Sequence, residues 1–196
     1  MGATGGRGGQ APLSWEAIVA GAMPLAEGVP RDSSRGPGFE LRVLTFMLGS
    51  EEYAVDILRI REIIRMRPIT AVPRAPAFVP GVLSLRGTIL PIVDLRKRLR
   101  LPSAAPDKRS RILVVIADDG ELFGLLVDEV RNVMPLRNDD IEVTPAVISS
   151  SQADFRSGIG RPANGARGEV GAALVILVNL DAVLRFDVHG ARPGGR

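Results

Sequence analysis

The chain of 196 residues contains no cysteine and only one histidine. Without cysteine it cannot form disulfides, thiolate metal sites or a cysteine nucleophile. The single histidine, His189, lies in a stretch rich in glycine and arginine, which argues against histidine acid–base chemistry and a Ser-His-Asp triad. No apolar run approaches the ~18 residues of a membrane span, and the amino end lacks the basic-then-apolar order of a secretory signal. The sequence therefore predicts a cytoplasmic protein without cysteine- or histidine-based catalysis or metal binding, without a cofactor and without membrane insertion.

Aromatic residues are also scarce, with one Trp, one Tyr and six Phe. Although the sequence pI is about 10.1, the formal net charge is only +3, and nearly all of the cations are arginines, which barely titrate. Basic residues gather within 96–111 and acidic residues within 118–142. This alternation of charge indicates a solvated surface, and so few rings offer no base-stacking platform. We therefore expect no nucleic-acid partner.

Glycine and proline are concentrated at the amino end. Residues 1–38 hold nine Gly and four Pro, which is typical of a flexible tail, and residues 189–196 are expected to be a disordered carboxyl tail. Residues 13–25 differ because they are apolar and include the only tryptophan, Trp15. Ser14 is placed to cap a short helix there. This segment is interpreted either as a docking peptide or as a transient helix with no partner.

The remaining sequence predicts many short strands. Alternation at 43–48, resumption at 53–56, and a tight turn between 81–87 and 88–94 each indicate strands. Pro91 is expected at a bulge or an edge. Apolar residues at helical spacing predict about two helical turns over 57–64, and Asp94 is placed to cap a short helix at 95–99. Further strands are predicted at 112–117, 122–127, 130–136 and 173–178, which together favour a mostly β, barrel-like architecture.

An internal repeat points to two similar halves. Residues 92–99 (IVDLRKRL) match residues 177–184 (LVNLDAVL), and in both a strand ends at an Asx residue that can cap a helix. Tyr53-Ala-Val-Asp56 and Leu126-Val-Asp128 repeat a second strand ending. Two matches in the same order favour duplication over coincidence. We expect a folded region of 39–188 with subdomains at roughly 39–111 and 112–188.

Residues 44–63 (LTFMLGSEEYAVDILRIREI) and 76–96 (PAFVPGVLSLRGTILPIVDLR) resemble the CheW family of bacterial chemotaxis coupling proteins. Residues 124–130 (GLLVDEV) and the strand before Leu184 resemble it more loosely. The resemblance covers about 40–186 and implies two small five-stranded β-barrels with a few short helices. It also implies a non-catalytic adaptor that links the cytoplasmic tips of methyl-accepting chemoreceptors to the regulatory domain of the CheA histidine kinase. Recruitment to receptor arrays at the membrane and ring assembly with kinase domains are further implications.

The resemblance implies a receptor-binding surface on the first half. Its members are Ile60, Glu62, Gly81, Ser84, Arg86 and Gly87. Arg86 and Gly87 match the family's Asn-x-Arg-Gly turn, in which Ser84 stands where relatives carry Asn. We expect a positive φ at Gly87 and an ion pair from Arg86 to Glu62. Ile60 fits core packing equally well, and Gly81 fits either a close partner approach or a simple turn.

A kinase-binding surface is expected on the second half, at Val127, Asp128 and Val130, although core and capping roles explain these residues as well. Relatives lack the insertion at 161–172, whose composition predicts a mobile loop.

Two alternatives stay open at this point. In the first, the chain is a CheW-like coupling module of a non-flagellar chemosensory pathway, for surface motility or second-messenger control. In the second, it is a metal-dependent enzyme that uses Asp94, Asp128 and Asp181. Carboxylates at strand ends suit hard cations, but helix capping explains the same residues.

Overall fold

The computed structural model describes residues 40–142, 155–161 and 174–186. The predicted tails, the segment at 13–25 and nearly all of the insertion at 161–172 lie outside these ranges. Within them the chain forms eleven strands, two short α-helices and two 3₁₀ turns. The strands are β1 (Glu40–Leu48), β2 (Glu51–Asp56), β3 (Ile60–Arg65), β4 (Gly81–Leu85), β5 (Thr88–Asp94), β6 (Arg111–Ile116), β7 (Leu122–Val127), β8 (Glu129–Arg137), β9 (Ile141–Glu142), β10 (Arg156–Gly160) and β11 (Val175–Val178). The helices are α1 (Leu95–Arg98) and α2 (Leu180–Leu184), and the 3₁₀ turns are Ile57–Arg59 and Asn138–Asp140.

The strands form two mixed sheets. One sheet has the order β8-β1-β2-β11-β10-β9, and the other has the order β3-β6-β7-β5-β4. The mostly β class with two strand assemblies is therefore confirmed, with the two-residue strand β9 as a sixth member of the first sheet. Each sheet contains one parallel pair, β2 with β11 and β5 with β7, and its other neighbours are antiparallel.

The two sheets repeat one arrangement of strands. In the first, the β1–β2 hairpin lies between β8 and the β11–β10 hairpin; in the second, the β6–β7 hairpin lies between β3 and the β5–β4 hairpin. Each half of the chain therefore contributes its first hairpin to the sheet completed by the other half. The expected division near 111 and 112 does not separate the two sheets, because each sheet takes strands from both halves of the chain. This exchange of hairpins also supplies the long connections that parallel neighbouring strands need. This repeated order supports the internal repeat seen in the sequence.

Three apolar clusters follow from this arrangement. The largest lies between the sheets and includes Phe46, Tyr53, Leu95, Leu125 and Val183, all of which are buried. A second cluster fills the curl of the β3–β7 sheet, and a third fills the curl of the other sheet. Because both sheets share the largest cluster, the two repeats pack as one body.

The predicted Asx caps are confirmed at both copies of the repeat. The Asp94 side chain accepts from the Lys97 backbone N–H at 3.1 Å and begins α1. The Asn179 side chain accepts from the Ala182 N–H at 3.1 Å and begins α2. Such caps satisfy helix N–H groups that otherwise lack partners.

The predicted helix at 57–64 is wrong. Only Ile57–Arg59 turns helically, and the chain then continues as β3. Pairing with β6 shifts register between Ile60 and Glu62, so a bulge interrupts the alternation and leaves Ile63 exposed. The bulge therefore places the buried residues of this strand at intervals that resemble helical spacing in the sequence.

Pro91 differs from both expectations. It lies inside β5, which is not an edge strand, and its pairing with Val82 of β4 shows no register shift. The parallel pairing of β5 with β7 begins at the next residue, Ile92. The hydrogen-bond ladder between β5 and β7 therefore starts just after Pro91, which has no backbone N–H to donate.

Candidate functional site

An exposed two-residue turn joins β4 to β5. Leu85 pairs with Thr88 across the hairpin, so that Arg86 and Gly87 alone form the loop. Their φ angles are +50° and +87°, which is the pattern of a type I′ turn. The positive φ predicted for Gly87 is confirmed. Arg86 adopts it at a cost of roughly 1–2 kcal/mol relative to glycine, so a strained arginine is held at the tip of a hairpin.

Arg86 pairs with Glu62 of β3, as expected from the sequence. A guanidinium nitrogen of Arg86 lies 3.1 Å from Glu62 Oε2. The arginine side chain is 80% exposed, whereas the glutamate side chain is 28% exposed. An ion pair so open to water stabilises the fold by no more than about 1 kcal/mol. The remaining donors of Arg86 face solvent and are free for a bound carboxylate or carbonyl oxygen.

A groove of about 470 Å³ opens beside this ion pair. Its apolar lining comes from four strands of the second sheet, and its polar lining comes from β3 and the hairpin. The apolar residues are Leu85, Leu90, Val114 and Leu122, and the polar residues are Arg61, Glu62, Arg86 and Thr88. The groove therefore combines an aliphatic floor with two cations and one anion.

Gly81 lies behind the hairpin and is buried. Its φ is +149°, and a Cβ placed there would lie 2.1 Å from the Thr70 carbonyl oxygen. Thr70 and Val82 exchange two backbone hydrogen bonds of 2.9 Å beside it. The close approach that excludes bulk at Gly81 is thus made by the chain's own backbone, and Gly81 supports the hairpin from inside.

The other two receptor-surface residues lie on different sides of the sheet. Ile60 is half-buried and packs against the cluster between the sheets. Ser84 is exposed and pairs with Ile89, one register step from the Leu85–Thr88 pair, so it lies on the face opposite the groove. Of the six residues singled out from sequence, Glu62 and Arg86 are the ones that line the groove.

The second expected surface is largely structural. Val127 is 1% exposed and belongs to the cluster between the sheets, so it has no surface to offer a partner. Val130 is half-buried against the same cluster. Asp128 accepts two hydrogen bonds from Arg96 Nε, at 2.8 and 3.0 Å, and one from the Gly49 N–H at 2.7 Å. The interpretation of Val127 as a contact residue is corrected to core packing.

The Asp128–Arg96 pair has a counterpart in the other sheet. Arg59 Nη2 lies 2.9 Å from Asp181 Oδ1, and its Nε donates to the Ile116 carbonyl at 2.8 Å. Arg96 and Asp181 occupy matching positions of the internal repeat, so the two ion pairs are related with their charges reversed. Each ties a helix start to the end of the strand that runs parallel beside it.

An arginine clamp, which sequence reasoning missed, joins the two helices. Arg98 donates to the carbonyl groups of Val183, Ala182 and Arg185, at 2.9, 3.1 and 2.6 Å. Burial holds its pKa below the ordinary value because desolvation penalises the charged form. Its guanidinium lies over three aromatic rings, at 4.4, 4.7 and 5.8 Å from the centroids of Phe78, Phe155 and Phe186.

The three aspartates of the enzyme alternative are not brought together. Asp94 caps α1, whereas Asp128 and Asp181 each hold an arginine. Among the residues described, no three His, Cys, Asp or Glu side chains gather closely enough to hold a metal ion. No helix in the same ranges is long and apolar enough to cross a membrane.

A double-sheet body that presents a rigid hairpin and a mixed apolar and charged groove has the makeup of a protein-interaction module. Residues 42–187 match the family model described as the CheW-like domain, and the chain belongs to that family. It is 35% identical over 141 residues to the chemotaxis protein CheW of Rhizobium meliloti (strain 1021), covering 72% of this chain and 85% of that protein.

Two further comparisons agree. The chemotaxis protein CheW of Helicobacter pylori (strain ATCC 700392 / 26695) is 31% identical over 147 residues, covering 75% of this chain and 83% of that protein. The crystal structure of the scaffolding protein TtCheW from Thermoanaerobacter tengcongensis matches with a TM-score of 0.65 and 30% identity, covering 78% of this chain and 97% of that one. The family membership expected from sequence is confirmed, and with it a scaffold role in chemotaxis signal transduction.

Proposed function

We propose that this chain is a non-catalytic adaptor that couples the cytoplasmic tips of methyl-accepting chemoreceptors to a CheA-type histidine kinase. Family membership supports the adaptor role, and the names of the relatives support the chemotaxis setting. The proposed location is the cytoplasm, with recruitment to receptor arrays at the membrane. Within the kinase, the proposed contact is the regulatory domain. In this proposal the kinase and the adaptor assemble together into rings.

The groove beside Arg86 is the observation that carries the receptor half of the proposal. A receptor tip is an antiparallel helical hairpin, and helices bind grooves through aliphatic side chains spaced along one face. Leu85 and Leu90 are core residues, 8% and 1% exposed, so a partner side chain meets mainly the partly exposed Leu122. Arg61 and Arg86 are placed to bind acidic or carbonyl groups beside it. We assign Arg86 and Glu62 to direct contact and Gly81 and Gly87 to holding the hairpin in shape. In this proposal Ile60 supports β3 from the cluster between the sheets, and Ser84, on the face opposite the groove, is not part of the groove contact.

The kinase half of the proposal rests on the junction where β7 ends and β8 begins. Val130 is half-exposed there, next to Asp128, whose carboxylate is anchored by Arg96. In this proposal Val130 makes contact, Asp128 fixes the strand end, and Val127 packs beneath them. Strands β6 and β7 carry residues of both the cluster under the groove and the largest cluster, so in this proposal a shift at the groove is passed to this surface along these two strands. Coupling free energies between such sites are about 1–3 kcal/mol.

The receptor assignment predicts a selective effect of Arg86→Ala. We expect at least about a tenfold loss of affinity for a receptor signalling fragment, because this proposal makes Arg86 a hot-spot residue, and truncation of a hot spot costs about 2 kcal/mol or more. The measurement is titration calorimetry or biolayer interferometry with the purified full chain.

Arg109→Ala is the matched control, since Arg109 is also an exposed arginine with a surface ion pair, to Glu129 at 3.4 Å, and lies outside the groove. It should leave the affinity unchanged. Equal losses from both variants, or none from Arg86→Ala, would refute the assignment of the groove to the receptor.

A further inference from the structure

Two arginines face each other across β3 and β6. Arg65 of β3 pairs directly with Arg111 of β6 where the two strands meet their ends, and the first is exposed while the second is half-buried. We propose that this arginine pair is a binding site for an acidic segment of a partner protein, whose carboxylates lie against both guanidinium groups. Binding there is independent of the proposed coupling, because neither arginine lines the groove beside Arg86.

The arginine pair has no counter-charge of its own. Within the residues described, neither Arg65 nor Arg111 forms an ion pair with a carboxylate. Side chains directly opposite on antiparallel strands have Cβ atoms only roughly 5 Å apart, and like charges at that position destabilise the sheet. In the other sheet, Glu40 faces Arg137 with the opposite charge. The arginine pair therefore stores a repulsion that a bound anion relieves.

The internal repeat shows that the fold does not require two arginines at this place. Both sheets pair a buried leucine with an exposed branched residue at this edge: Leu113 with Ile63, and Leu44 with Val133. Two residues away from these pairs, the second sheet sets Arg111 opposite Arg65, whereas the first sheet sets Arg42 opposite Pro135. The first sheet thus folds with a neutral residue where the second has a like charge.

The guanidinium of Arg111 is held in place before any partner binds. Its Nη1 donates to the backbone carbonyl groups of Lys108 and Ser110, at 2.9 and 2.8 Å. These acceptors are neutral, so they fix the side chain without cancelling its charge. A side chain that is already ordered loses less entropy on binding. The planar guanidinium then matches a carboxylate through paired hydrogen bonds.

The surroundings favour a narrow acidic segment over a broad anionic surface. The Asp107 carboxylate accepts from the Ser110 N–H at 3.1 Å, next to the arginine pair, and Glu129 pairs with Arg109 at 3.4 Å. A membrane or a nucleic-acid duplex spreads its negative charge widely and would be repelled by these carboxylates. None of the described aromatic residues is exposed, so bases find no stacking surface. A peptide segment can place its carboxylates on the two arginines alone.

The stored repulsion is tested by reversing one charge. Arg65→Glu sets an opposite charge across from Arg111 and should raise the urea midpoint of unfolding above that of the wild type. Arg42→Glu is the matched control, since it makes the same change of charge at an exposed position opposite Pro135. It should not raise the midpoint. Equal shifts in the two variants would overturn the premise that the arginines repel each other.

Binding is tested with the full chain and a fluorescently labelled peptide of alternating glutamate and serine. Anisotropy at physiological ionic strength should report binding that weakens as salt is added, whereas a peptide with glutamine in place of glutamate should not bind. Arg65→Gln and Arg111→Gln should each lower the affinity by at least about tenfold, because each removes hydrogen bonds to a charged group. Arg42→Gln removes an arginine from the corresponding place in the other sheet and should leave the affinity unchanged.

The alternatives have distinct outcomes. Failure of the acidic peptide to bind the wild-type chain, or equal losses from Arg65→Gln and Arg42→Gln, would overturn the proposal. Tighter binding of a DNA duplex, or of vesicles containing phosphatidylglycerol, that is lost in the Arg65→Gln and Arg111→Gln variants would overturn it in favour of a phosphate ligand. The mixture contains neither receptor nor kinase, so failure of this site is separate from failure of the proposed function.

Discussion

Replacement of Gly81 by alanine is expected to lower the free energy of unfolding by about 3–5 kcal/mol, or to prevent folding altogether. The new Cβ would lie 2.1 Å from the Thr70 carbonyl oxygen, in a backbone with φ of +149° that L-residues rarely adopt. Relief of the clash requires the loop at Thr70 to move and to break its two hydrogen bonds with Val82. The measurement is urea unfolding followed by circular dichroism.

Gly87→Ala is the control for the effect of positive φ alone. Gly87 lies six residues further along the same hairpin with a φ of +87°, but nothing lies within 4 Å of its added Cβ. Its replacement should therefore cost only the conformational penalty, about 1–2 kcal/mol. If the two alanine variants unfold at the same denaturant concentration, the contact with Thr70 is not what demands glycine at position 81.

The second large effect is expected from Arg98→Ala, which should lower the free energy of unfolding by about 3 kcal/mol. Three carbonyl groups near the end of α2 lose a charged donor, a type of hydrogen bond worth about 1.5–3 kcal/mol each before the cost of burying the guanidinium is subtracted. Contacts with the rings of Phe78 and Phe155 add about 0.5–1 kcal/mol each. Chemical denaturation measures the sum.

Its neighbour supplies the control. Lys97 is exposed and makes a loose 3.7 Å ion pair with Asp94, so Lys97→Ala should change stability by less than about 0.5 kcal/mol. Arg98→Lys keeps the charge but loses the planar stack, and it should recover only part of the loss. Full recovery with lysine would show that charge alone stabilises this junction, against the clamp described above.

Local signals in the sequence predicted most strands and both helix caps. The tight turn at Arg86-Gly87 follows from two strand-like runs separated by a residue pair that ends in glycine. Asp94 and Asn179 cap helices because each follows an apolar strand and precedes leucine. Contacts of this kind join residues only a few positions apart, so the local sequence is enough to predict them.

Features that depend on distant segments were harder to predict. Ile60, Ile63 and Ile64 satisfy helical spacing, and only the pairing with β6 reveals that a bulge produces it. The exchange of hairpins between the halves leaves no signal in the local sequence either, since each strand keeps its alternation of apolar and polar residues whichever half supplies the neighbouring strand. The matched strand endings hinted at a repeat but did not show which sheet each copy would join.

The groove itself was only partly predictable. Glu62 and Arg86 were found through the family resemblance, whereas Arg61, Thr88 and Leu122 come together from three strands and carry no motif of their own. The Arg98 clamp joins residues about 85 positions apart. One signal was available: the repeat matches Arg98 with Val183, and a charged residue at an apolar position of a repeat indicates a partly buried side chain with specific partners.

The most direct test of the coupling role is kinase autophosphorylation in a reconstituted mixture. It combines the CheA-type kinase from the same genome, a receptor signalling fragment on vesicles, and this protein in its full-length form. We predict receptor-dependent kinase activation that appears only when this chain is present and is lost with Arg86→Ala. Kinase activity that is the same with and without the wild-type chain, while the receptor and kinase are each shown to be active with another coupling protein, would contradict the account.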